Sequence, residues 1–381
     1  MIRKVTAEIA SITGMQVKRE VPFEVVSRDT WKQWVDDEIR RTVKPEEIRA
    51  DETALKMLGL IPKDFDLKKA TVDLLGEQAA AVYDHRRKKM MFVEGDVMGA
   101  MGEAVLVHEL SHAVADQHFD MKRFLDKNAK TDESQSARLA VVEGQAMWVM
   151  LESQITRMGG QSLKNNRAAL NTMMPAMGQM AADSYPVFSG APLYLRETLI
   201  FPYTAGLLFQ QAAIEKYGQA GFTSILKNPP STTHQVLHPE QYFAGVAPSS
   251  PSLPDFGGRR EYQKMSAGTL GELDIQILLR QYASEAEAKE VAPRWKGGAY
   301  ELLEHKKDHQ PLLRWAVEFD GPEAAQRFLK LYSRVLEGKS KTAKMKESGE
   351  SRLAGESVEG EFRISADGTV VRGLEGMKRA L

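Results

Sequence analysis

The chain of 381 residues contains no cysteine. Disulfides, thiolate metal sites and cysteine nucleophiles are therefore excluded. Charge of either sign is not in excess: 51 Lys+Arg face 52 Asp+Glu, a net of −1. A chain built to hold nucleic acid carries a basic surplus, so nucleic acid is not an expected partner. No apolar run approaches the roughly 18–20 residues that cross a bilayer. Ala104-Val105-Leu106-Val107, among the longest, is soon interrupted by charge. Met1 to Gly14 lacks the apolar core of a signal peptide. Two placements stay open: cytoplasmic, or extracytoplasmic after removal of an export segment. What is present is ordinary globular composition, 43% hydrophobic and 27% charged, which excludes a disordered or fibrous chain.

Three regions are expected. Residues 1–95 read as a small mixed segment. Val21 to Val26 is strand-like, and Asp29-Thr30 offers a cap for a helix starting near Trp31. Ala79 to Val82 and Lys89 to Val93 flank a polar stretch and read as a hairpin. Residues 96–247 read as helical. One helix is expected from about Met98 to His118, and a second from Glu133 to Met158, stopped by Gly159-Gly160. Gln161 to Asp183 is a Met-rich helical segment, and a further helix starts after Tyr203. Residues 248–381, opened by a Pro/Ser/Gly-rich linker, read as a separable α+β domain. Within it Gly271–Ala283 and Pro322–Leu336 are helical, Tyr300–Glu304 and Leu313–Phe319 are strands, and Gly360–Val371 is a hairpin. Lys339–Ser351 reads as a polar loop.

The chemistry concentrates in Val107-His108-Glu109-Leu110-Ser111-His112-Ala113-Val114, an H-E-x-x-H motif inside an apolar-periodic helix. Residues four apart share one helical face, so His108 and His112 can point at one cation. Glu109 sits beside His108, where its carboxylate can act on a water as general base without being a ligand.

A catalytic zinc needs a third protein ligand and one open position. Two candidates follow. His118 stands six residues after His112, as in the metzincin extension, but Ala115 replaces the glycine that breaks that helix. A continuous helix would turn His118 away. The other candidate is Glu143, an isolated carboxylate in the apolar stretch Ala140-Val141-Val142-Glu143-Gly144-Gln145-Ala146. A lone buried carboxylate is costly unless paired or on a metal. Gly144 and Ala146 would let its helix approach the first.

These pieces occur in order with Leu195-Arg196-Glu197, Phe201-Pro202-Tyr203-Thr204-Ala205-Gly206, Pro230-Ser231-Thr232-Thr233 and Leu237-His238-Pro239-Glu240-Gln241-Tyr242. The set resembles a family of bacterial gluzincin-like zinc metallopeptidases, over residues 15–245 and less sharply beyond. Tyr83-Asp84 fits it too. The resemblance implies a zincin-like α+β fold: a mostly helical metal-binding core, a small N-terminal sheet and a small C-terminal α+β domain. It implies Zn2+ held by His108, His112 and Glu143, with Glu109 as general base and a peptide or protein as substrate. This sequence departs from the related thermolysin type at Met147, where an Asp would orient a ligand histidine. Asp116 could take that role or be a solvated helix-end carboxylate. It also departs from the family's pattern at His234.

Zinc would lower the pKa of a bound water and polarise the scissile carbonyl. Oxyanion stabilisation needs a further donor, for which Tyr203, His234 and His238 are candidates. Arg196 and Glu197 read as structural ion pairs. Lys89 to Val93 could be the edge strand to which an extended peptide adds. Glu103 reads as a first-turn carboxylate favoured by the helix dipole. Two rivals stand beside the peptidase: a binding protein with a structural zinc, and a zinc hydrolase of a non-peptide amide or ester.

Overall fold

A computed structural model describes residues 1–42, 44–77, 81–94, 100–127, 129–173 and 185–378. Part of the expected Met-rich helix, residues 174–184, lies outside them, as do the expected first residues of the hairpin, Ala79-Ala80, and of the histidine helix, Met98-Gly99. In chain order the elements begin with α1 (Ile2–Thr13), β1 (Phe23–Val26), α2 (Arg28–Thr42), α3 (Pro45–Leu58) and α4 (Leu67–Glu77). The hairpin β2 (Ala81–Asp84) and β3 (Lys89–Val93) follows, then α5 (Ala100–Phe119), α6 (Asp132–Arg157), α7 (Leu193–Tyr217), α8 (Gly221–Lys227), α9 (Thr233–Leu237) and α10 (Pro239–Phe243). The remainder holds β4 (Tyr262–Gly268), α11 (Glu272–Tyr282), α12 (Glu285–Val291), β5 (Trp295–His305), β6 (Pro311–Phe319), α13 (Pro322–Lys339), β7 (Lys344–Ser348), β8 (Arg352–Ser357), β9 (Gly360–Asp367) and β10 (Val370–Met377). The expected mixture of helix and sheet is present. No described helix is long and apolar enough to cross a membrane.

The chain divides into two units. The first combines Met1–Thr42, Lys69–Ala191 and Thr198–Gly245. The expected N-terminal segment therefore shares a core with the helical region. The second unit takes Val43–Lys68, Pro192–Glu197 and Val246–Leu381. Its C-terminal break falls close to the expected linker, but α3 belongs to it as well, packed on β4 and β6. Sequence patterning missed this because α3 is amphipathic and says nothing about which sheet its apolar face covers.

In the first unit a three-stranded sheet has the order β1-β3-β2, with β1 parallel and β2 antiparallel to β3. Met90 to Val93 are all buried, as suits a central strand. This corrects the expectation that Lys89–Val93 is the edge. The edge facing α5 is β2. Helix α2 begins three residues before Trp31, with the Ser27 hydroxyl accepting the Thr30 N–H at 3.2 Å. Thr131 caps α6 reciprocally with Ser134, and Gly159, at φ 78°, follows its end.

Helix α7 starts ten residues before Tyr203 and carries Pro202 inside it, against the expected start. Proline usually breaks a helix because it has no N–H and clashes with the preceding turn. Here the flanking apolar residues, buried at Phe201, Leu207 and Phe209, hold the helix through it. The same helix meets α6 backbone to backbone. A Cβ on Gly144 would fall 2.1 Å from the Gly206 carbonyl carbon, and one on Gly206 would fall 2.1 Å from the Ala140 oxygen. Gly144 thus serves the approach of α6 to α7, not to the histidine helix as the sequence suggested.

The second unit is a seven-stranded sheet of order β4-β5-β6-β10-β9-β8-β7, antiparallel throughout. The apolar face of α13 packs on β6, β9 and β10. At its end Lys339 pairs with Glu375 at 2.6 Å, both buried, and Glu375 also accepts from Tyr332 Oη and Trp315 Nε1. Residues 344–348 form strand β7, not a loop. This strand is an exposed charged edge, so it lacks the apolar alternation that reveals inner strands.

Gly144→Ala and Gly206→Ala should each destabilise the protein by about 1–3 kcal/mol or more through overpacking. Gly190→Ala, with no neighbour within 4 Å of the added Cβ, should change little. Thermal unfolding of the three variants measures this, and an unchanged Gly206→Ala midpoint would contradict the close crossing.

Candidate metal centre

Helix α5 is buried along Leu106, Val107, Leu110, Ala113 and Val114. Those apolar positions fix its rotation and turn His108 and His112 toward α6. The two Nε2 atoms lie 3.1 Å apart. Glu143 Oε2 stands 3.2 Å from His108 Nε2 and 3.4 Å from His112 Nε2. The three side chains are 12–15% exposed. Ligand atoms at about 2.0–2.2 Å from a tetrahedral zinc sit roughly 3.3–3.6 Å from one another. The donor set and its spacing thus fit a divalent cation. Glu109 also lies near the imidazoles, but its Oε2 accepts the Tyr83 backbone N–H at 2.7 Å. Glu143, within reach of both rings, is the better third ligand.

Electrostatics agree with this pairing. Burial alone would push the His112 pKa down, but the Glu143 charge, its hydrogen bond and the Glu109 charge raise it to about 9. Burial would raise the Glu143 carboxyl, yet His112 and His108 hold it well below the usual carboxylate range. Tyr203, on α7, has its hydroxyl pKa pushed up, first by the Glu143 charge and then by burial, and it hydrogen-bonds Glu143. Its ring stacks on His108 at 6.2 Å between centroids. The crossing at Gly144 and Gly206 sets this arrangement, because Glu143 precedes one glycine and Tyr203 lies about one turn before the other.

The remaining expected residues fall elsewhere. Helix α5 continues through Ala115, and His118 Nε2 bonds the Gln16 carbonyl at 2.7 Å, so it is no ligand. Asp116 is buried, not solvated, and its partners are Tyr83 Oη, Lys88 Nζ and the Met121 N–H, each at 2.7 Å. None is a histidine. His238 stands at the corner between α9 and α10, its ring 4.6 Å from that of His234. The lining of the cavity around the cluster includes neither ring. A corner position fixed by Pro239 is what the local sequence signals; distance from the cluster is not readable there. Glu197 pairs with Arg280 at 2.9 Å and Glu103 with Arg157, both structural as expected.

That cavity encloses about 390 Å³. His108, Glu109, His112, Glu143 and Tyr203 line it together with Trp31, Trp34, Val35, Leu125, Leu139 and His85. A larger cavity of about 860 Å³, between α1 and β1, contains no histidine, so size does not pick out the chemistry. Sequence reasoning missed Trp31, Trp34 and His85. The i,i+3 tryptophan pair on α2 was the available signal. Burial holds the His85 pKa below its ordinary value.

Comparison with known proteins adds one finding. Residues 260–380 match a family described as Domain of unknown function (DUF8575). The match covers all seven strands of the second unit's sheet and no member of the histidine cluster. No curated protein and no solved structure matches the chain.

In the metal-stripped protein the His112 imidazole should titrate with a midpoint of about 9. This lies above the roughly 6.5 of an unfolded imidazole. The ion pair's contribution to stability is therefore full below about 6.5 and is lost as pH rises through about 9. In Glu143→Gln the midpoint should fall, since burial then acts with less opposing charge. NMR titration of the ring protons tests both, and a wild-type midpoint at the ordinary value would mean that the pair does not form.

Proposed function

We propose that this chain is a zinc-dependent peptidase with a zincin-like core in its first unit. The observation that carries the reading is the convergence of His108, His112 and Glu143 at 3.1–3.4 Å, beside a carboxylate outside that set and at the wall of a cavity. A purely structural zinc is closed by four protein ligands. Three ligands opening on a cavity favour catalysis.

When bound, the cation supplies Lewis acidity at the point where the three side chains meet. His108 and His112 would hold it with their imidazoles and Glu143 with its carboxylate. The Tyr203 hydroxyl fixes the Glu143 carboxylate and keeps its proton. Glu109 accepts a proton from the attacking water and returns it to the leaving amine. Its Oε2 is held by the Tyr83 N–H, so the carboxylate is oriented before substrate arrives. Trp31, Trp34, Val35, Leu125 and Leu139 in the cavity wall exclude water and receive a bulky apolar side chain. No Lys or Arg lines the cavity among the described residues, so acidic side chains are disfavoured.

Two variants separate the roles. Glu109→Gln should keep zinc at wild-type stoichiometry and lose peptide hydrolysis by about 10²–10⁴-fold, because an amide cannot take the proton. Glu143→Ala should lose zinc. Elemental analysis and cleavage of a broad peptide library, with and without chelator, read both. Full chelator-sensitive activity in Glu109→Gln would sink the mechanism, and an inactive wild type that holds zinc would favour the structural reading.

A further inference from the structure

Tyr83 touches helix α5 twice. Its backbone N–H donates to Glu109 Oε2 at 2.7 Å, and its hydroxyl donates to Asp116 Oδ2 at 2.7 Å. Glu109 and Asp116 are seven residues apart, two turns along one face. A single residue of the edge strand β2 is thereby pinned to both. The second contact is itself secured. Asp116 is buried, and its other oxygen accepts from Lys88 Nζ and the Met121 N–H. Lys88 sits in the β2–β3 turn at φ 57°, a left-handed conformation that a non-glycine residue adopts only where its surroundings hold it. Strand, turn and helix thus close a ring of hydrogen bonds around one carboxylate.

We propose that Tyr83 is the positioning residue of the general base. This rests on the peptidase reading above. The ring of Tyr83, Asp116 and Lys88 fixes the register of β2 on α5, so that the Tyr83 N–H holds one oxygen of Glu109. Among the described residues no hydrogen bond is made to Oε1, which is left to accept the proton. The tyrosine hydroxyl acts through the backbone it anchors, not on substrate. Its removal lets the strand edge shift, and a displacement near 1 Å at a reacting group costs on the order of 10²-fold. The same occupation of the Tyr83 N–H withdraws that donor from any peptide adding to β2.

The test uses the whole 381-residue chain as wild type, Tyr83→Phe, Asp116→Ala and the double variant. Zinc content, kcat and KM are measured on a library peptide that the wild type cleaves, and amide exchange at position 83 is followed by NMR. Each single variant should lower kcat by on the order of 10²-fold, with KM and zinc within twofold, and the double variant should be no worse than either single. The amide at position 83 should exchange faster in all three. Asp116→Asn, which keeps an acceptor for the hydroxyl, should recover most of kcat and serves if Asp116→Ala does not fold. Multiplying losses in the double variant, unchanged kcat, or unchanged exchange would overturn the proposal. An inactive wild type whose amide 83 still loosens in the variants would remove the peptidase reading and leave the anchoring of Glu109 standing.

Discussion

The close crossing of α6 and α7 is the constraint on which the cluster depends. At Gly144 and Gly206 the two backbones touch with no room for a methyl group. Ordinary helix pairs keep 8–10 Å between axes because side chains fill the gap. Deleting those side chains brings Glu143 and Tyr203 onto one spot from two helices. Trp148 Nε1 bonding Gln211 Oε1 at 2.7 Å ties the same helices further along. The geometry of the cluster is therefore a consequence of backbone packing.

Two carboxylates within the cavity acquire different characters from their surroundings. Glu143 faces two imidazoles, which hold its carboxyl in the charged form against burial. Glu109, one residue from His108, is held by a neutral peptide N–H. A neutral donor orients a carboxylate without neutralising it, whereas a cation would satisfy it fully. This division of labour suits the proposed roles, one group as permanent ligand and the other as proton carrier. It also explains why spatial proximity alone, which groups Glu109 with the two histidines, does not decide which acid is the ligand.

The parts of this arrangement that are legible in the sequence are those encoded locally. H-E-x-x-H gives two imidazoles on one face by helical period alone, and the isolation of Glu143 among Ala140, Val141 and Val142 marks a buried acid in need of a partner. The hairpin, the helix stop at Gly159 and the amphipathic α13 are local signals as well. The misreadings share the opposite property. Whether Lys89–Val93 is central or marginal depends on β1, some sixty-five residues earlier in the chain. Asp116 reads as solvated because its partners Tyr83 and Lys88 come from another element. Pro202 reads as a helix start because proline favours that position, while the packing that carries α7 through it is tertiary.

The motif around His238 has a structural use of its own. Thr232 caps α9 by accepting the Gln235 N–H, and Gln235 returns a bond to Ser231. Thr233 donates its N–H and its hydroxyl to Glu133, buried in the first turn of α6. Tyr242 reaches back to the Asn228 carbonyl, and its ring packs edge-on against Phe209 of α7. Every one of these contacts is made to backbone or core. The Pro-Ser-Thr-Thr and Leu-His-Pro-Glu-x-Tyr pieces thus brace the two helices that cross at Gly144 and Gly206, one at each partner. The Thr233 bonds to Glu133 and the Tyr242 packing on Phe209 help hold α6 and α7 in the relation that lets Glu143 reach both histidines. Scaffold residues can for that reason be as diagnostic of such a site as the ligands themselves.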